Sequence, residues 1–315
     1  MKRFLIAMIL ALGLMIQPVH SQVKSYHVVF IPKSSDLAFW KFMRKGCDKA
    51  VQEVGKVTLT WRGPAYDDDT DSQIRIVETY TRPDVDAIVI VPTDRERLLA
   101  PISKAAAAGI KIIVVDSDLS GNVHRNFIAT DNFAGGQLAA KRLVEVLGGK
   151  GKVLLLRTVA GSASTDARGD GFVDYLKKNA PGVQLLADHY GGGSKGKAQA
   201  SATALLKQYP DLDGAFAVNE ASVDGMLLAL KTVGLAGKIK LVGFDTSNTL
   251  LAGLEQKEVS GLVMQNPILM GYLGIKSAVD ALEKVPVKER ILLLDPKMMT
   301  LENYRNPEIQ ELLAP

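Results

Sequence analysis

The chain has 315 residues, 47% of them apolar and 23% charged, with a formal net charge of +4. That length and apolar share can build one large core or two ordinary ones, and two lobes are the expected arrangement. The small positive excess excludes a nucleic-acid surface, since the basic runs RLLAPISK (97–104) and KGKAQ (195–199) read as solvated helix faces without interleaved aromatics. A single cysteine, Cys47, excludes a disulfide framework.

Lys2 and Arg3 precede an uncharged run from Phe4 to Ile16, and Val19 and Ser21 stand where a signal peptidase reads small residues. Residues 1–21 are therefore expected to be a secretory signal, too short to span a membrane. Cys47 lies well beyond that cleavage point, which argues against a lipid-anchored amino terminus.

Tyr26 to Ile31 reads as a first strand, and Phe39 to Val54 as a helix with Phe39, Phe42, Met43, Cys47, Ala50 and Val54 at helical spacing. Val57 to Trp61 is the next strand, and Asp69 or Thr70 caps the helix after it. Pro83 to Ala87 leads into the strand AIVIV, followed by a helix from Arg95 to Ala108, a left-handed stop at Gly109, and the strand KIIVVD ending at Asp116. Asp131 or Asn132 opens a helix running to Gly148, and Lys152 to Arg157 begins a second lobe. Pro210 to Gly214 repeats the earlier pattern: a strand AFAV, a helix from Ala221 to Val233, and the strand KIKLVGFD ending at Asp245. Leu262 to Gln265 is a last strand, entering the helix Pro267 to Lys284.

Apolar runs without polar alternation mark strands buried on both faces of a parallel sheet. In open sheets of that kind ligands lie beyond the carboxyl ends of the strands, which places Asp116, Asn219, Glu220 and Asp245 at a crevice. The repeated strand-helix-strand unit predicts an α/β protein of two similar doubly wound parallel-sheet lobes. No low-complexity linker is present, so a three-segment hinge is expected near Phe127 to Asp131, Val263 to Gln265 and Ile291 to Asp295. The first lobe would hold residues 24–128 and 265–292, and the second 129–264 and 293–315.

FIPK with Phe39-Trp40, VDSD at 115–118, ATDN at 129–132, AGSAST with RGDGF across 160–172, AVNE at 217–220, VGFD at 242–245 and VMQNP at 263–267 form an ordered set. In order and spacing that set resembles the periplasmic sugar-binding proteins of ABC transporters, the ribose binders above all, over nearly all of residues 24–295. The resemblance implies that Phe39 and Trp40 face a sugar ring, while Asp116, Asn219, Asp245 and Gln265 bind its hydroxyls. Arg168 is retained. Ser117 and Asp166 stand where the ribose binders carry arginines, and Gly193 where they carry a ring-stacking phenylalanine. Lys33, Asp116 and Asp166 look like positions of the related binder of a furanose-like autoinducer, whose next glutamine is here Ala167. With Asp36 and Glu220 added, the candidate ligand set is Lys33, Asp36, Phe39, Trp40, Asp116, Ser117, Asp166, Arg168, Asn219, Glu220, Asp245 and Gln265. Asp116, Asp166, Glu220 and Asp245 against Lys33 and Arg168 predict a neutral ligand, with sugar acids rejected.

The implied partners are a small sugar or polyol and a membrane permease, with a chemoreceptor or sensor kinase as the signalling alternative; the protein is expected to be a periplasmic monomer without cofactor or metal. Rival chemistries find less support. GGGSKGK at 191–197 satisfies G-x-x-x-x-G-K, but Ala198 replaces the hydroxyl residue that would hold Mg²⁺, and the preceding DHY does not read as a buried strand. Histidines 20, 27, 124 and 189 are isolated, and Ser162 and Ser164 lack a nucleophile elbow. Asp116 and Asp245 could serve as a glycosidase pair, yet nothing marks either as a proton donor.

Overall fold

The computed structural model describes residues 25–313. The expected signal peptide lies outside that range. In chain order the elements are β1 (Tyr26–Ile31), α1 (Ala38–Val54), β2 (Val57–Trp61), α2 (Thr70–Tyr80), β3 (Ala87–Ile90), α3 (Leu99–Ala107), β4 (Lys111–Val115), β5 (Asn126–Thr130), α4 (Asn132–Val146), β6 (Gly151–Arg157), α5 (Ala163–Asn179) and β7 (Val183–Tyr190). There follow α6 (Lys195–Gln208), β8 (Gly214–Ala217), α7 (Glu220–Thr232), β9 (Lys240–Phe244), α8 (Asn248–Glu255), β10 (Gly261–Met264), α9 (Pro267–Leu282), β11 (Ile291–Leu294), β12 (Lys297–Met299) and α10 (Pro307–Leu313).

The strands form two six-stranded sheets, ordered β11-β5-β4-β3-β1-β2 and β12-β10-β9-β8-β6-β7. All neighbours run parallel except β12, which is antiparallel to β10. Each sheet is covered on both faces, which is why its central strands are continuous apolar runs. In the first lobe Phe30, Met43, Cys47, Val115 and Ile275 form one layer, and Ile31, Val77, Ile88, Ile102 and Val114 the other. In the second, Leu154, Met226, Leu241 and Leu262 pack on one side, and Leu155, Phe172, Phe216 and Phe244 on the other.

The chain changes sheets at Asp131, between β5 and α4; at Gln265-Asn266, between β10 and α9; and at Asp295-Pro296, between β11 and β12. The first sheet keeps β5 through Thr130 and β11 through Leu294, because Leu293 pairs with Ala129 and Leu294 with Thr130. The changeovers therefore fall about two residues beyond the expected edges at 128 and 292. Two further differences have local causes. The stretch from Arg95 is a turn held by Asp94, whose carboxylate accepts from the amides of Glu96 and Arg97 at 2.9 Å each, so the helix proper begins at Leu99. Asp188-His189-Tyr190 does end a strand, but β7 is a sheet edge whose last residues are exposed, so it lacks the apolar run that reveals central strands.

Candidate functional site

β4 and β9 occupy corresponding places in the two sheets and end alike. The amide of Asp116 donates to Ile128 O at 2.8 Å and that of Asp245 to Val263 O at 2.9 Å, so each acid extends its ladder by one residue. Each then turns through the left-handed region, with φ 63° at Asp116 and 71° at Asp245. Few residues other than glycine adopt that conformation, and aspartate is among those that do. It aims both carboxylates between the lobes.

There they line a cavity with Lys33, Leu37, Phe39, Trp40, Asp67, Ser164, Thr165, Arg168, Asn219 and Gln265. Its volume is about 20 Å³, room for about one water. Arg168 is the central cation. Its Nε donates to Asn132 Oδ1 at 2.8 Å and its Nη1 to Val218 O at 3.0 Å, while the guanidinium lies 3.8 Å from the Phe244 ring centroid. The close approach of α4 to α5 behind it needs Gly136, where a Cβ would stand 1.9 Å from Arg168 O. So anchored, Arg168 faces Asp116 at 3.9 Å and Asp245 at 3.8 Å. Asp245 accepts from Gln265 Nε2 at 2.6 Å and from the Glu220 amide at 3.1 Å, and Gln265 Oε1 accepts from the Thr130 hydroxyl at 2.6 Å. Asp116 Oδ1 is buried with no hydrogen-bond partner. Burial pushes both acids up from the usual carboxylate range, opposed by Lys33 and Arg168 at Asp116 and chiefly by Arg168 at Asp245.

The lobes are closed on this cavity by polar contacts from both sides. Lys33 Nζ donates to Ser162 Oγ at 2.8 Å and Ser164 Oγ at 3.0 Å, and the Ser164 amide donates to Ser117 Oγ at 3.2 Å. Asp68 accepts from the Gly193 amide at 3.0 Å and from Lys197 Nζ at 2.7 Å, so the glycine-rich loop fastens the second lobe to the first. Glu220 accepts from the amides of Ala38 and Phe39 at 3.2 and 3.0 Å. The residue that precedes α1, Leu37, has no capping side chain, so an acid of the opposite lobe supplies the cap.

Glu220 is 1% exposed, and burial, reinforced by Asp245, pushes its carboxyl from 4.5 to about 7 against the two amides and Lys195. A raised folded-state value means that the folded protein binds more protons than the unfolded chain, so stability falls as pH rises from about 4.5 to 7. The full shift corresponds to roughly 3 kcal/mol. Between pH 6 and 7.5 the melting temperature of the wild type should fall, and Glu220→Gln should flatten that slope. Calorimetric melting of both proteins checks this, and equal slopes would count against burial of the Glu220 carboxyl between the closed lobes.

Of the expected residues, Lys33, Phe39, Trp40, Asp116, Arg168, Asn219, Asp245 and Gln265 come together at the cavity. Phe39 and Trp40 meet edge to face, 4.8 Å between centroids. Asp36, Ser117, Asp166 and Glu220 do not line it. Asp36 is exposed and accepts from Ser34. Ser117 and Glu220 are spent on the cross-lobe contacts above. Asp166, in the first turn of α5, folds back to accept from the Gly161 amide at 3.0 Å and the Tyr190 hydroxyl at 3.2 Å, with Arg95 of the other lobe at 3.6 Å. Its partners are thus Gly161, Tyr190 and Arg95. The third lining acid is instead Asp67, in the loop after β2; its signal was the DDD run at 67–69, beyond the end of that strand at Trp61. Among the described residues no cluster of His, Cys, Asp and Glu is arranged for a metal.

Two doubly wound lobes closed on a small polar cavity with aromatic walls define a bilobal binding protein. Residues 28–285 match the family described as periplasmic binding protein domain, and the chain belongs to that family. It is 29% identical over 255 residues to the ribose import binding protein of Bacillus subtilis, covering 80% of each chain. It is 28% identical over 278 residues to the D-allose-binding periplasmic protein of Escherichia coli, covering 85% of this chain and 88% of that one. Among solved structures, an ABC transporter solute-binding protein from Agrobacterium vitis with bound D-fucose superposes with a TM-score of 0.87 at 32% identity, covering 91% of this chain and 99% of that chain. A carbohydrate transporter solute-binding protein from Agrobacterium radiobacter in complex with D-arabinose gives a TM-score of 0.88 at 30% identity, covering 91% and 98%.

Proposed function

We propose that the protein is a periplasmic solute-binding protein that captures a neutral monosaccharide or polyol between its lobes and delivers it, unchanged, to the membrane permease of an ABC transporter. The observation that carries this reading is the hydrogen-bonding inventory of the cavity. Asp67, Asp116 and Asp245 present acceptors, of which Asp116 Oδ1 has no hydrogen-bond partner. Lys33, Arg168, Asn219 and Gln265 present donors whose other bonds fix their direction. Neighbouring donors and acceptors match hydroxyl groups, each of which donates once and accepts, and the faces of Phe39 and Trp40 suit the C–H side of a ring. The relatives named for ribose and allose, and the neighbours holding D-fucose and D-arabinose, are consistent with that chemistry. Asp166 outside the cavity removes one of the positions on which a furanose-autoinducer ligand rested.

Charge selects against anions. Lys33 and Arg168 are matched by Asp116 and Asp245, with Asp67 in surplus, so an added carboxylate would meet like charge in a dehydrated site. Differential scanning with aldoses and their aldonic acids tests this. A neutral sugar at 100 times its Kd should raise the melting temperature by roughly 5 to 10 °C. A larger rise with the matched acid would overturn the assignment of a neutral ligand.

A further inference from the structure

Asp67 is 6% exposed and accepts side-chain hydrogen bonds from both lobes. Its Oδ1 accepts from the Trp40 indole N–H at 3.1 Å, within the first lobe. Its Oδ2 accepts from Asn219 Nδ2 at 3.4 Å, across the cleft. The orientation of that amide is forced, because Asn219 Oδ1 caps α7 by accepting from the Ser222 amide at 3.1 Å and hydroxyl at 2.8 Å. Only an acceptor can face the remaining Asn219 N–H groups, and only an acceptor can face an indole N–H. One carboxylate satisfies both.

We propose that Asp67 is a positioning residue of the binding site: by holding Trp40 and Asn219 with one carboxylate it sets the spacing between the aromatic wall of one lobe and the amide of the other. The assignment rests on the cleft being the binding site, but its test is read without ligand. The groups facing Asp67 are Lys33, Ser34 and Asp36 from the loop before α1, Trp40 from α1, Arg168 from α5 and Asn219 from α7. Burial pushes the Asp67 carboxyl from 3.8 to about 6, with Lys33 and the bonds from Ser34 and Trp40 opposing and Asp36 adding to the rise. Protonation removes an acceptor from a group that meets two donors. The environment of Trp40 must therefore change in that range, whereas Trp61, stacked on Phe30 at 4.6 Å, lies on β2 away from the carboxyl.

The experiment is a titration of tryptophan emission in the ligand-free protein between pH 4 and 7.5, read from the Trp40–Asp67 bond, which lies within the first lobe and persists whether the lobes are open or closed. The wild type should show a transition above the ordinary carboxylate range, nearing pH 6 as the lobes close, absent from Asp67→Asn and from Trp40→Phe. With D-ribose, D-allose, D-arabinose or D-fucose as probe, whichever gives the largest melting rise, Asp67→Asn should bind about tenfold more weakly and lose the wild-type pH dependence across that range. A transition that survives in Asp67→Asn, or none in the wild type, overturns the proposal. Should Asp67→Asn fail to fold, Asp67→Ser, which keeps an acceptor but cannot titrate in this range, takes its place in the comparison. A wild-type transition without binding of any probe would uphold the role of Asp67 and remove the sugar reading instead.

Discussion

Asp245→Ala is expected to weaken sugar binding by at least about 100-fold. Asp245 is 7% exposed, turns into the cavity through a left-handed residue, and keeps lone pairs beyond those used by Gln265 and the Glu220 amide. Two ligand hydroxyls donating to an ionised carboxylate contribute about 1.5 to 3 kcal/mol each, and a factor of 100 needs about 2.7 kcal/mol. The substitution also frees Gln265 Nε2 to swing away from the site and leaves Arg168 paired with Asp116 alone. The second lobe should still fold, since the surrounding core of Phe216, Val242 and Phe244 is untouched. Calorimetric titration with the sugar giving the largest melting rise decides. An affinity within about threefold of the wild type would reduce Asp245 to a partner of Gln265 and the α7 amide.

Arg168→Leu should have the larger effect on stability, about 3 to 5 kcal/mol, the usual range when one member of a buried ionic cluster is removed. It would strand Asp116 and Asp245 without their central cation, leave Asn132 Oδ1 and Val218 O without donors, and abolish the stack on Phe244. The sign with pH follows from the same geometry. Both acids are already raised by burial, and without Arg168 they rise further, so the variant binds protons on folding and should recover part of its stability as pH falls from 7 to 5. Urea unfolding at both pH values measures this. A loss below about 1 kcal/mol at pH 7 would show that the cluster holds without its arginine.

Central strands and crevice acids were legible in the sequence because burial on both sheet faces writes them as unbroken apolar runs. KIIVVD and KIKLVGFD announce β4 and β9, and the acids that end them reach the cavity. Edge strand β7 and the short helix α8 were not legible: β7 is half solvated and its sequence, VQLLADHY, shows no continuous run. Among the site residues the errors share one cause. Position at a strand end or first helical turn brings a residue near the cleft but does not say which partner takes its side chain. Glu220 goes to the uncapped start of α1 and Asp166 to its own turn and Tyr190, because those donors are nearer than the cavity. Asp67 takes the vacated role from a loop where only Asp69 had a visible task, as the cap of α2. Pairings across the cleft depend on the closed arrangement of both lobes, which no local stretch of sequence encodes.

A cavity of about 20 Å³, sealed by contacts from Lys33, Ser117, Asp68 and Glu220, admits a sugar only if the lobes part and close again around it. The ligand then shifts the balance toward the closed form by its differential affinity for that form. Small-angle scattering, with and without a saturating neutral sugar, measures this directly. The radius of gyration should fall on saturation, and an unchanged radius with calorimetrically proven binding would contradict capture of the sugar between two closing lobes.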